Sequence, residues 1–188
     1  MKEKKTPLYD RHIDLGGNVV NFGGFLLPTQ YSGINQEHNA VRSKAGIFDV
    51  SHMGEFIISG SDAEKFLQKI TVNDVSSLSK GEAQYSAMCF KNGGIVDDLL
   101  IYKKENVFML VVNAANLEND LEWLKSHQEG DVKIEDISDK IGLIAVQGPR
   151  SRAILQTLTD TTLSNIQFYH FAEGRVGGKE AMIARTGY

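Results

Sequence analysis

The sequence predicts an α+β fold, with mainly antiparallel sheets and helices packed on one face. Three observations carry this expectation. From Ser51 to about Ser138 the apolar pattern reads strand, helix, hairpin, strand, helix, strand. Asn92-Gly93-Gly94 separates two apolar runs, and Asn and Gly tolerate the positive φ that a tight hairpin needs. Leu117, Leu121 and Leu124 recur at helical spacing, with Trp123 thickening the apolar side. The 188 residues hold one large domain or two small ones, and 41% hydrophobic with 23% charged residues is ordinary for a soluble globular chain.

In chain order, Thr6 to Ala40 carries little helix signal and many breakers: Gly16-Gly17, Gly23-Gly24, Pro28 and Gly33. Short apolar runs, Val19-Val20 and Phe22 to Leu27, form strands or irregular packed segments. Ile34 to Lys44 is a helix candidate stopped by Gly46. Ile47 to Gly60 reads as two short strands around Ser51-His52-Met53-Gly54. Ser61-Asp62 is a plausible N-cap for a helix in which Ala63, Phe66, Leu67 and Ile70 share a face. After the hairpin come a strand at Val107 to Val112, a helix over Ala115 to His127, and an alternating strand at Val132 to Ile137. Leu143 to Val146 is a strand and Ser151 to Leu158 a short helix. Phe168 to Phe171 and Lys179 to Arg185 are further strand candidates.

The second hairpin run, Ile95 to Tyr102, holds two adjacent acids among apolar residues. Successive strand residues alternate faces, so Asp97 lies with Ile95, Leu99 and Ile101, while Asp98 lies with Val96, Leu100 and Tyr102. A strand apolar on both faces is covered on both sides. A carboxylate there costs free energy unless it is paired or hydrogen-bonded. With Asn92-Gly93 as a two-residue loop, Ala87 faces Asp98 and Tyr85 faces Leu100. With Gly93-Gly94, Cys89 faces Asp98 and Tyr85 faces Tyr102. Either register sets Tyr85 on the face of Asp98 and Tyr102; a three-residue loop would reverse this. One acid between two tyrosines suits a flat, polar heteroaromatic ligand. The alternative is that both acids cap loops or accept backbone hydrogen bonds.

Other chemistries are disfavoured. A net charge of −4 gives no electrostatic case for nucleic acid. No apolar run approaches the ~20 residues that span a bilayer. The mixed-charge start MKEKKTPLYDRH is not a secretory signal, and its Glu3 and Asp10 argue against a mitochondrial transit peptide. Cys89, the single cysteine, excludes an internal disulfide framework; it reads as inert core in a reducing cytoplasm. His12, His38, His52, His127 and His170 lack metal-ligand spacing, and His52 reads as bracing its loop by backbone hydrogen bonds. No dinucleotide fingerprint, phosphate loop or Gly-x-Ser-x-Gly elbow is present.

Seven segments occur together and in order: TPLYDRH, AVRSKAGIFDVSHMGEF, ITVND, YSAMCFKNGGIVDDLLIY, LVVNAAN, IAVQGP and RTGY. Together they resemble the aminomethyltransferases of the glycine cleavage system, the T-proteins, along the whole chain. The resemblance implies a folate-binding aminomethyltransferase-type fold. It also implies transfer of the methylene carbon from aminomethyl-lipoyl H-protein to tetrahydrofolate with release of ammonia. The lipoyl group would be supplied by the partner, lipoylated H-protein. In that pattern Asp98 is the catalytic acid, contacting folate nitrogens and helping N10 act as nucleophile. Met53, Tyr85, Tyr102, Asn113 and Tyr188 line the folate site, and Asp97 is structural.

T-proteins continue past the position of Tyr188, with a further glutamate, an arginine in a Gly-rich motif and a barrel-like C-terminal domain. The expectation is therefore an N-terminal portion, truncated before that domain. Residues 1–47 and 140–188 would form an incomplete, discontinuous first domain, with 48–139 an inserted α+β domain carrying the hairpin. Such a fragment would bind folate weakly and turn over poorly alone. A non-catalytic folate-binding or assembly module, or an α+β domain without a ligand, are the competing readings.

Overall fold

A computed structural model describes residues 3–187. In chain order the elements are β1 (Lys4–Lys5), α1 (Tyr9–Asp14), β2 (Val19–Phe22), β3 (Phe25–Pro28), α2 (Ile34–Ser43), β4 (Gly46–Asp49), β5 (Gly54–Ser59), α3 (Ala63–Ile70), β6 (Ala83–Cys89), β7 (Ile95–Lys103), β8 (Phe108–Val112), α4 (Leu117–Ser126), β9 (Lys133–Asp136), β10 (Ile144–Gln147), α5 (Ser151–Gln156), β11 (Phe171–Val176) and β12 (Lys179–Ala184). Among the described residues four sheets form, and the largest has the order β6-β7-β8-β5-β9 with every neighbour antiparallel.

That sheet is built from alternation. Phe56 and Ile58 of β5, Leu99 and Ile101 of β7, and Phe108, Leu110 and Val112 of β8 point to one face. There they meet Ala63, Phe66, Leu67 and Ile70 of α3 and Leu124 of α4. These helices present single apolar stripes, so one sheet face satisfies both. The opposite face carries Ala83, Tyr102, Met109 and Val111, covered by Met53, Leu143, Tyr169, Phe171 and Met182. Both faces of β7 are therefore occupied, as its apolar pattern predicts.

Gly54 allows α4 to abut the sheet: a Cβ there would lie 2.8 Å from both Leu117 and Val112 side-chain carbons. α4 starts two residues later than the spacing suggests, because Ala114–Asn116 form a 3-10 turn. Asp62 precedes α3 but makes no side-chain cap. Its carboxylate accepts the Asp131 N–H at 2.8 Å, while Ser61 donates to Asp131, so the pair ties the helix entry to the chain before β9.

The glycine-rich N-terminal region is more regular than its breakers suggest. β2 and β3 pair as a hairpin, β1 adds in parallel, and α1 is a short helix without a periodic signal. Phe168 to Phe171 is not a strand. Tyr169 has φ +58°, which breaks extended backbone, and the strand starts only at Phe171.

Candidate functional site

The hairpin takes the Asn92-Gly93 register, with Ala87 opposite Asp98 and Tyr85 opposite Leu100. The turn itself is longer. Residues 90–94 form the loop, closed by the Phe90 N–H to the Gly94 carbonyl at 2.7 Å. Gly93 supplies φ +86° there. An odd-length loop alone would reverse the faces, but the ladder skips Val96 between Asp97–Met88 and Ile95–Cys89. This bulge restores the parity that groups Tyr85 with Asp98. Cys89, half-buried beside it, is a free thiol.

Asp98 stands in a cross-strand row. Ala87 faces it on β6, and on its other side Leu99 pairs with Val112, so Asn113 follows at the end of β8. Gly54 pairs with Val112, which sets Met53 beyond Asn113. The next row is Tyr85, Leu100, Val111 and Glu55. The Tyr85 hydroxyl donates diagonally to Asp98 Oδ2 at 2.9 Å. Asn113 Nδ2 donates to Asp98 Oδ1 at 2.9 Å and lies 3.1 Å from Asp97 Oδ1. The Asp98 carboxylate is thus held from two sides, with its backbone in a rigid central strand. Tyr85 is 52% exposed and its hydroxyl pKa is raised, first by the hydrogen bond to Asp98 and then by that carboxylate's charge.

Tyr102 is buried on the same face, its ring edge-on to Phe171 with centroids 5.7 Å apart. Met53 packs into that cluster. Hydrogen bonds join Tyr85, Asp98 and Asn113, while Tyr102 and Met53 belong to the apolar cluster on the same face of the sheet. Tyr188 lies outside the described residues. Tyr169 joins the same apolar cluster through its left-handed backbone. A lone aromatic in a presumed strand gave no sign of this.

Three buried carboxyl groups surround this region, each with at least one oxygen lacking a donor among the described residues. Asp97 is buried on the helix-covered face, as alternation predicts, and Asp97 Oδ2 has no donor among the described residues. Asp120 of α4 is fully buried, and neither of its oxygens has a donor. Burial and its contact with Asp97 push its carboxyl up to about 8. Glu55 is 1% exposed with both oxygens unpartnered, and burial, helped by Asp136, pushes it up to about 8. Sequence reasoning passed over both, although each had a signal. Asp120 interrupts the stripe Leu117, Leu121, Leu124 at i+3 spacing, and Glu55 shares strand parity with Ile57.

One histidine departs from its expected role, and another forms a buried pair with Asp49. His52 does not brace its loop: its Nδ1 is buried without a partner, and its ring sits edge-on to Phe22 and Phe25. Ser51 does the bracing, through Asp49 Oδ1 and through both backbone groups of Leu143. His12 is buried, with Nε2 2.8 Å from Asp49 Oδ2 and Nδ1 2.8 Å from the Tyr31 hydroxyl. Burial would raise Asp49, but hydrogen bonds from Thr6, Ser51 and His12 outweigh it and hold the carboxyl below its ordinary range. No group of three or more His, Cys, Asp or Glu able to hold a metal occurs among the described residues. Nor is any described helix long and apolar enough to cross a membrane.

Comparison with known proteins agrees with this architecture. A family model described as the GCVT N-terminal domain matches residues 8–188. An aminomethyltransferase of Bacillus subtilis is 53% identical over 187 residues, covering 98% of this chain and 52% of the relative. One from Chloroherpeton thalassium is 52% identical with the same coverage. The crystal structure of the glycine cleavage system aminomethyltransferase T from Bartonella henselae superposes with a TM-score of 0.86 at 30% identity, over 92% of this chain and 48% of that one. A heterotetrameric sarcosine oxidase from Corynebacterium sp. U-96 shares the fold, with a TM-score of 0.55 at 14% identity over 81% of this chain and 77% of that one. The chain spans about half the length of the curated relatives it matches. By the match along almost its entire length, this chain belongs to the GCVT N-terminal domain family.

Proposed function

We propose that this chain provides the folate-facing part of a glycine-cleavage aminomethyltransferase, working in the cytoplasm with lipoylated H-protein and tetrahydrofolate. The observation that carries the reading is the Asp98 carboxylate, held by the Tyr85 hydroxyl at 2.9 Å and the Asn113 amide at 2.9 Å. Tyr102 and Met53 lie on the same face of the sheet. A fixed carboxylate beside aromatic and thioether surface suits a ring that is flat, apolar on its faces and rich in N–H at its edge.

In the reaction, a folate nitrogen forms a bond to the aminomethyl carbon while ammonia leaves. Closure by the second folate nitrogen then releases the lipoyl thiol and completes the methylene bridge. Asp98 would accept a hydrogen bond from a folate N–H, orienting the nitrogen lone pair toward the carbon and drawing off its proton. Tyr85 and Asn113 would keep the carboxylate in place, so its orientation is set before substrate arrives. Residues 1–47 with 140–188, and 48–139, are proposed as the two structural units. The pairing of β4 with β10 joins the flanking segments.

Calorimetric titration of tetrahydrofolate into this chain tests the reading. Saturable binding weakened about tenfold or more by Tyr102→Ala is expected, from the loss of a buried aromatic contact. Absence of binding to any reduced folate would favour a structural domain. Binding without turnover, even after the C-terminal half of a relative is supplied, would favour a non-catalytic folate-binding module.

A further inference from the structure

Beneath Asp98, on the helix-covered face of the sheet, the carboxyl groups of Asp97 and Asp120 are both buried and act on each other. Asp97 Oδ2 and both Asp120 oxygens meet no N–H or O–H donor among the described residues. Ionised carboxylates only accept, so two of them in contact gain nothing and repel. One proton resolves the conflict, because a protonated carboxyl donates through its O–H. Asp97 already accepts from Asn113, whereas Asp120 has no donor among the described residues, so Asp120 is the natural holder.

The surroundings leave few other options. α3 presents Ala63, Phe66, Leu67 and Ile70 to this interior, and β8 presents Phe108, Leu110 and Val112. β6 contributes Met88 and Ser86, both buried. The charged groups acting on Asp120 are Asp97 and, from across the sheet, Asp98. No cation acts on it among the described residues, so a proton offsets the repulsion.

Asn113 connects this pair to the opposite face of the sheet. Its amide has two hydrogens, and its nitrogen lies 3.1 Å from Asp97 Oδ1, 2.9 Å from Asp98 Oδ1 and 3.3 Å from the Asp98 carbonyl. Asp97 can hold one of those hydrogens steadily only if its own carboxylate is fixed. We propose that Asp120 is a positioning residue. It keeps a proton shared with Asp97, fixes the Asp97 carboxylate beneath the sheet, and so lets Asn113 aim the Asp98 carboxylate on the opposite face. The link to catalysis rests on the reading of Asp98 given above; the shared proton does not.

Carbon-13 NMR of aspartate carboxyls in the 188-residue chain, assigned with Asp120→Asn, tests this without any ligand. One side-chain carboxyl is expected to keep a protonated shift at pH 6, to titrate near 8, and to vanish in the Asn variant. A folded protein in which that resonance titrates near 4 would overturn the proposal. The Asn113 side-chain amide gives a second readout. Its two protons are expected to be inequivalent and protected from exchange in the wild type. Asp120→Asn, whose amide can donate to Asp97 in place of the proton, should retain that protection, whereas Asp120→Ala should lose at least about tenfold of it. Equal protection in all three proteins would deny the positioning role. Failure of the wild type to bind tetrahydrofolate would count against the proposed function alone and leave both NMR readouts standing.

Discussion

Glu55 illustrates how a single side chain links burial to pH. Its carboxyl lies in the row Tyr85, Leu100, Val111, Glu55, with neither oxygen bonded, and burial raises it from 4.5 to about 8. The folded state therefore holds a proton that the unfolded chain releases near 4.5. Its contribution to stability is fully present below that value and is lost as pH rises toward about 8. Asp120 acts in the same direction. Glu55→Gln should narrow the difference in melting temperature between pH 5 and pH 8 while leaving the Asp120 share. An unchanged difference would show that Glu55 finds a partner in solution. At this scale, the grouping of Tyr85 with Asp98 agrees with the two-residue-loop parity because the skipped Val96 offsets the odd-length loop. Asp120 meeting Asp97 depends on how α4 docks, and no local pattern encodes that distance.

Among the elements, α3 and α4 were legible because each has one strong period and one buried face, and the central strands because their apolar runs, covered on both faces, are bounded by turn residues. α1, β1 and the β2–β3 hairpin were not, since they are short and set by tertiary contacts such as His12 with Asp49. Asn92-Gly93-Gly94 located the turn, but the loop is longer than the two residues expected, and the bulge at Val96 was invisible because Val suits a regular strand equally well. The packing of α3 makes a direct prediction. Leu67 is fully buried between helix and sheet, so Leu67→Ala should cost about 2–5 kcal/mol in urea unfolding. Leu158, which is 53% exposed, should change stability by less than about 0.5 kcal/mol when replaced by Ala. Similar losses at both positions would mean that the helix-covered face is not the main core.

For the whole molecule, antiparallel sheets with helices on one face follow from element order, and the superposition on the Bartonella henselae protein agrees. Less legible was how much apolar surface remains uncovered. Ile47 is 71% exposed and Ile144 52% exposed on the β4–β10 pair, and Phe22 is 59% and Ile34 66% exposed. Surface of this kind is suited to burial against further protein. The 188-residue chain alone should turn over aminomethylated H-protein at least ~100-fold more slowly than the chain mixed with the C-terminal half of the Bacillus subtilis relative, because reactants must be held from both sides. Full turnover by the chain alone would refute this. The central claim, that Asp98 acts on the reacting folate rather than only holding it, is tested most directly in that reconstituted mixture by Asp98→Asn. Turnover should fall at least ~100-fold while tetrahydrofolate affinity changes less than about fivefold. Equal losses in both would contradict it and leave Asp98 a binding residue.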